Sequence, residues 1–280
     1  MDTPTYISLY AGGGGLDVGF RLAIPGARAI CYVERELTCA ALLVDHMQTG
    51  QLDDAPLWDD ANTFDGNPWR GKVDWLIGGP PCQPFSKAGR RTAADDPRNG
   101  WPNTLRLVRE IQPNGCFFEN VASADLLRYY WWEIKPGLQA MGYQVEEILS
   151  EAADAGASHH RSRSFILAYR NSESIDQVVD AERKGLQGNG HSRATRFSEP
   201  GSSGANWRSE PFALGPEDER WADVLAERPD LVPAAESSVL RVAYGMAGGL
   251  ARNDRIRILG NGVVPQQAAL SLAAMIGAIK

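Results

Sequence analysis

Residues 7–17 read ISLYAGGGGLD: a short apolar run, four consecutive glycines, then the start of a helical pattern. Glycine at such a junction lets the backbone turn sharply after a strand and approach a ligand without a Cβ clash. Cofactors of the nucleotide type are held in this way at the carboxyl ends of strands. A tight strand-to-helix turn with no ligand is the competing reading of the same letters.

Outward from this turn, β-rich runs at 6–10, 29–33, 73–77, 115–118, 144–149 and 164–169 alternate with helical patterns at 16–23, 37–47, 102–111 and within 126–141. Pro136 and Gly137 are expected to interrupt the last of these. Such alternation predicts βαβ units and an α/β fold around a mostly parallel sheet. From Asn171 the periodicity stops and Gly, Ser and Arg are interspersed, so 171–235 is expected to be a small irregular region. Residues 1–170 form the expected catalytic and cofactor-binding domain, and 236–280, with helical patterns at 238–246 and 264–279, a segment packing back onto it.

At 280 residues, 43% hydrophobic and 22% charged, the composition is that of a globular enzyme. The N-terminus has no basic and apolar leader pattern, and no run of about 18 apolar residues occurs, so a cytoplasmic location is expected and no membrane partner. The four cysteines, Cys31, Cys39, Cys82 and Cys116, lack CxxC spacing, which speaks against a zinc site or a disulfide framework. Net charge is −7, unlike most phosphate-neutralising proteins, yet Lys87, Arg90, Arg91, Arg98, Arg106 and Arg109 cluster locally and could face a polyanion.

Three further stretches carry chemistry. GGPPCQPFS, residues 78–86, holds Cys82 between prolines directly after a strand, a rigidity that suits a nucleophile better than a core residue. An unperturbed thiol of pKa about 8.5 needs nearby cations or helix N-termini to work as a thiolate. Residues 117–121, FFENV, end a strand on Glu119, and Arg161 and Arg163 stand two residues apart before the next. Glu34 closes the second strand, where an acid can accept hydrogen bonds from ribose hydroxyls. Cysteine, acid and paired arginines at strand edges form a catalytic constellation.

These stretches resemble the C5-cytosine DNA methyltransferase family. YAGGGG at 10–15 is similar to the family's F-x-G-x-G-G turn with tyrosine for phenylalanine; PCQ at 81–83, ENV at 119–121 and GNGV at 260–263 match its nucleophile, acid and C-terminal motifs. HHRSR at 159–163 resembles Q-x-R-x-R, with His159 in the glutamine's place. The resemblance runs in order across 5–277, except 171–235, where the family places its variable target-recognition region.

The resemblance implies a Rossmann-like S-adenosylmethionine-dependent methyltransferase fold and methylation of C5 in a cytosine flipped out of double-stranded DNA. It implies a monomeric, bacterial or phage-encoded enzyme without a metal, releasing S-adenosylhomocysteine. Cys82 would add to C6, Glu119 would contact N3 and the exocyclic amine, Arg163 would brace O2, and Arg161 would serve the site or a phosphate. Tyr10 would pack on adenine, Gly12, Gly14 and Gly15 with Leu16 would line the methionine end, and Glu34 would hold the ribose. Asp60 beside Ala61 would read the adenine amine, with Asp59 able to take that role, and Asn261 would close the methionine side. Trp101 is a weaker candidate for the adenine pocket, with core packing the competing role. His159 is expected to replace an amide hydrogen bond or to be incidental.

Two other readings stay open. One is a tRNA cytosine methyltransferase, disfavoured because 171–235 lacks the Cys-Phe-Thr signature of that branch. The other is a noncatalytic DNA-binding member, disfavoured by the presence of Cys82, Glu119, Arg161 and Arg163 together.

Overall fold

The structure, a computed structural model, describes residues 3–81, 99–123, 129–157, 161–170, 226 and 262–279. The expectations placed on Cys82, His159, Asn261, residues 171–225 and the helix at 238–246 lie outside the described residues.

Strands β1 (Thr5–Leu9), β2 (Arg28–Val33), β3 (Leu57–Trp58), β4 (Trp75–Gly78), β5 (Gly115–Val121), β6 (Gln144–Glu151) and β7 (Ser162–Tyr169) make one sheet in the order β3-β2-β1-β4-β5-β7-β6. The pairs from β3 across to β5 are all parallel. The chain runs outward from β1 to β2 and β3, then returns to the other side of β1 at β4. That reversal opens a crevice at the carboxyl ends of β1 and β4, the usual ligand position in an open α/β sheet.

Helices cover both faces: α1 (Gly15–Ala23), α2 (Leu37–Gln48), α3 (Trp101–Ile111), α4 (Lys135–Ala140) and α5 (Pro265–Ile279). Strand side chains alternate between two cores. Tyr6, Trp75, Ile77, Phe117, Phe165 and Leu167 pack with Phe20 of α1 and Leu272 and Met275 of α5. Ile7, Leu9, Leu76, Phe118 and Ile166 pack on the other side with Leu107 and Ile111 of α3 and Leu138 of α4. Strands buried on both faces read as near-continuous apolar runs, which is why their positions stand out in the sequence. Trp101 is fully buried against Phe118, so it belongs to the core and not to an adenine pocket.

Two local features depart from the sequence reading. β7 lies between β5 and β6 and is antiparallel to both. Only ten residues separate Glu151 from Ser162, too few for a parallel crossover, so the pair folds as a hairpin. Pro136 and Gly137 do not interrupt their helix. A π turn over Tyr130–Ile134 runs directly into α4, and this widened turn lies just where Pro136 has no N–H to donate back along the helix.

Candidate active site

The four glycines follow β1 as predicted, and the backbone shows why glycine is needed there. Gly12 and Gly14 have φ of 57° and 81°, the left-handed region that side chains disfavour, and Gly14 is the N-cap of α1. A Cβ on Gly12 would meet no atom within 4 Å, so the turn leaves open space above it. That space is part of a cleft of about 660 Å³ built at the carboxyl ends of β1, β2, β3, β4 and β5 and the start of β7.

At one end of the cleft stand Tyr10, Gly12, Gly15, Leu16, Glu34, Asp60 and Ala61. The Glu34 carboxylate accepts from the Gly12 N–H at 2.7 Å through Oε2 and from the Glu36 N–H at 2.7 Å through Oε1. The Arg35 N–H also acts on this carboxylate, whose two oxygens together offer about four acceptor sites. Burial raises the Glu34 pKa, opposed by these N–H groups, which favour the carboxylate. Gly14 is fully covered by Leu52 and Leu43 and shapes the turn from behind rather than lining the cleft.

Asp60, not Asp59, is on the cleft wall. Its Oδ1 accepts from the Asn62 backbone N–H at 2.8 Å and side-chain amide at 2.7 Å, and Asn103 of α3 donates in turn to Asn62 Oδ1 at 2.5 Å. Arg106 binds the carbonyls of Ala61 and Phe64 and pairs with Glu110 at 2.8 Å. Its guanidinium is therefore committed to holding the Ala61 loop, which removes it from the basic cluster proposed to face a polyanion.

At the other end Glu119 and Arg163 meet. In the β5–β7 ladder Glu119 pairs with Phe165 and Val121 with Arg163, so Glu119 and Arg163 are diagonal neighbours on one face. Arg163 Nε sits 2.5 Å from Glu119 Oε1, and Glu119 as a whole is only 8% exposed. Burial pushes the Glu119 carboxyl up to about 7, against the lowering charges of Arg163 and Arg161. A carboxyl in this state can donate a proton at neutral pH as well as accept one.

Arg161 takes a different path. It does not line the cleft, and its guanidinium donates to the Gly262 carbonyl. Burial, then repulsion from Arg163, brings its pKa down to about 10, so it stays charged at neutrality. Gln267 of α5 donates to the carbonyls of Ser150 at 2.7 Å and Arg161 at 3.1 Å. The backbone and side chain of Arg161 thus tie the hairpin to the C-terminal segment, whose Gly262 and Val263 line the cleft.

Between the two ends lie Gly79, Pro80 and Pro81, the residues leading to Cys82. The Pro80 carbonyl accepts from Asn120 Nδ2 at 2.8 Å, and the Pro81 carbonyl accepts from the Gly100 N–H at 2.8 Å. Asn62, Asn103 and Gly100 were not singled out from the sequence. Asn103 reaches Asn62 across 41 positions and Tyr10 reaches Gly100 across 90, and no local pattern marks such contacts. Among the described residues no group of three His, Cys, Asp or Glu side chains is placed to hold a metal ion. Nor is any described helix long and apolar enough to cross a membrane.

Residues 5–204 match the C-5 cytosine-specific DNA methylase family. Type II methyltransferase M1.HphI of Haemophilus parahaemolyticus is 38% identical over 183 residues, covering 61% of this chain and 47% of its own length. M.NgoMIV of Neisseria gonorrhoeae is 32% identical over 173 residues, with 60% and 52% covered. The chain spans about half the length of these two relatives. Among solved structures, the Entamoeba histolytica methyltransferase EhMeth superposes with a TM-score of 0.62 over 100% of both chains, at 15% identity. The S. pombe Dnmt2 methyltransferase does so with 0.59 over 99% of both, also at 15%. At that identity the likeness is one of fold.

Proposed function

We propose, for a chain that belongs to the C-5 cytosine-specific DNA methylase family, that it methylates C5 of a cytosine flipped out of duplex DNA, through a transient bond from Cys82 to C6. The observation that carries this reading is the single cleft joining two chemistries. A glycine turn with Glu34 and Asp60 stands at one end, a buried Glu119–Arg163 pair at the other, and the peptide leading to Cys82 between them.

The residues present fit S-adenosylmethionine: open space over Gly12, an aromatic wall at Tyr10, and a half-buried Glu34 carboxylate with acceptor capacity beyond its backbone donors for ribose hydroxyls. When bound it supplies an electrophilic methyl group. Glu34 would hold the ribose and Asp60, braced by Asn62, the adenine amine. Cys82 as thiolate adds to C6, and the C5–C6 π electrons become available at C5 for the methyl group. Glu119 in its protonated form donates to N3, drawing electron density from the ring as the sulfur–carbon bond forms. Arg163 holds Glu119 in register and presents a guanidinium to the base. A solvent base takes the C5 proton, its bonding pair re-forms the C5–C6 double bond as Cys82 Sγ leaves, and N3 returns its proton to Glu119, which restores the aromatic ring. The base must leave the stack first, at a cost of a few kcal/mol. The type II relatives favour DNA over RNA as the substrate.

Conversion sequencing of random-sequence duplexes after incubation with S-adenosylmethionine should show 5-methylcytosine in one fixed context. Cys82→Ser should produce none while binding S-adenosylhomocysteine within about threefold of wild type, because the hydroxyl is a far weaker nucleophile. Duplexes carrying 5-fluorocytosine should trap a covalent adduct at Cys82. Near-normal turnover by the serine variant would remove the covalent route.

A further inference from the structure

Tyr10 is one of two described non-glycine residues with positive φ, at 51°. A residue other than glycine is held there only where its surroundings compensate the strain. The side chain shows what that conformation accomplishes: the Tyr10 hydroxyl donates to the Gly100 carbonyl at 3.1 Å, ninety positions along the chain. Thr104 Oγ1 donates to the same carbonyl at 2.9 Å from within α3. Burial pushes the Tyr10 phenol up to about 12, so it remains a donor throughout the neutral range.

Gly100 is in turn fastened to the peptide that precedes the nucleophile. Its N–H donates to the Pro81 carbonyl at 2.8 Å, and a Cβ on it would come within 2.6 Å of Pro81 Cδ, so the two backbones pass in contact. Asn120 holds the adjoining Pro80 carbonyl from β5. A route of direct bonds therefore runs from the cofactor end of the cleft, through Tyr10 and Gly100, to the residue before Cys82. A phenylalanine would offer the same ring to a cofactor but lack the bond to Gly100, leaving that carbonyl to the Thr104 N–H and hydroxyl and the ring unconnected to the junction.

We infer that Tyr10 is a positioning residue acting through the Pro81 peptide: its hydroxyl anchors the Gly100–Pro81 junction, so that a cofactor packed on its ring changes the reactivity of the Cys82 thiol. This rests on the reading of the cleft as a S-adenosylmethionine site with Cys82 as nucleophile. By linkage, whatever the cofactor does to the junction, the junction does to cofactor affinity.

The test compares wild type with Tyr10→Phe, following alkylation of Cys82 by iodoacetamide through peptide mass spectrometry, with and without saturating S-adenosylhomocysteine. Calorimetry on the same samples gives the ligand's affinity. In wild type the ligand should change the Cys82 alkylation rate by about threefold or more, as expected for one hydrogen bond of ordinary strength. In Tyr10→Phe it should bind within about threefold of wild type, since the ring is kept, while the rate change falls below about 1.5-fold. A variant that binds the ligand and keeps the full rate change would overturn the inference, because shielding of the thiol by the ligand itself would then account for it. A wild-type protein that binds the ligand with no change at Cys82 would overturn it as well. Failure of wild type to bind S-adenosylhomocysteine would instead strike the cofactor reading, which keeps the two failures apart.

Discussion

Glu119 shows how far one residue's chemistry depends on solvent. Its ionic partner Arg163 alone would hold a carboxyl well below its ordinary range, yet burial outweighs that attraction and leaves Glu119 near 7. The proposed reaction needs Glu119 protonated and Cys82 ionised. The thiolate requirement makes the rate climb from the acid side, and loss of the Glu119 proton above about pH 7 brings an alkaline fall. Glu119→Gln should slow the single-turnover step by about 10²–10⁴-fold and abolish the alkaline fall, leaving a rise to a plateau. A variant with an unchanged rate would reduce Glu119 to packing.

The element that organises the site is β5. Its central residues Phe117 and Phe118 serve the two cores, and its last three leave the core to place Glu119 in the cleft and Asn120 against Pro80. The strand and its terminal acid are legible in the sequence, because an apolar run ending in polar residues marks a strand reaching the sheet edge. The Asn120 contact is not, since it joins residues 40 positions apart. Asn120→Ala would leave the buried Pro80 carbonyl without its donor, at a cost of about 1–3 kcal/mol. The expected outcome is a lower melting temperature and a reduced rate of methyl transfer, with S-adenosylhomocysteine affinity within about threefold. Thermal melts with calorimetry check it: loss of cofactor affinity in step with activity would mean that Asn120 supports the whole cleft and not the Cys82 peptide.

At the scale of the whole molecule, a buried acid makes stability depend on pH. Asp17 lies in the first turn of α1, fully buried between β1 and the helix, beside the hydroxyls of Ser8 and Tyr6. Burial pushes its carboxyl up to about 7, although both hydroxyls favour the charged form. The folded state therefore binds the proton more tightly than the unfolded chain, where the value is about 3.9. This contribution is fully present below about pH 4 and is lost as pH rises to about 7, a change of about 4 kcal/mol. Glu119 acts in the same direction. Asp17→Asn, neutral throughout, should flatten the dependence of melting temperature on pH between 4 and 8 without removing it. Parallel curves for variant and wild type would show that Asp17 does not titrate in this range.

Local sterics and periodicity determined a large part of this protein before any tertiary contact. Apolar runs placed six of the seven strands, missing only the two-residue β3, and consecutive glycines marked a turn whose positive φ angles few other residues tolerate. Tertiary structure decided what depends on distant residues and on water. It set β7 antiparallel between β5 and β6, and it sent two like arginines, one just before β7 and one within it, to different tasks: Arg163 to Glu119, Arg161 to Gly262. It also joined Tyr10 to Gly100 across ninety positions and withdrew Glu119 from solvent far enough to keep its proton near neutrality. Strand alternation is a property of neighbouring residues and can be read in order along the chain, whereas charge state and hydrogen-bond partner are set by which surfaces exclude water together, and only folding brings those surfaces into contact.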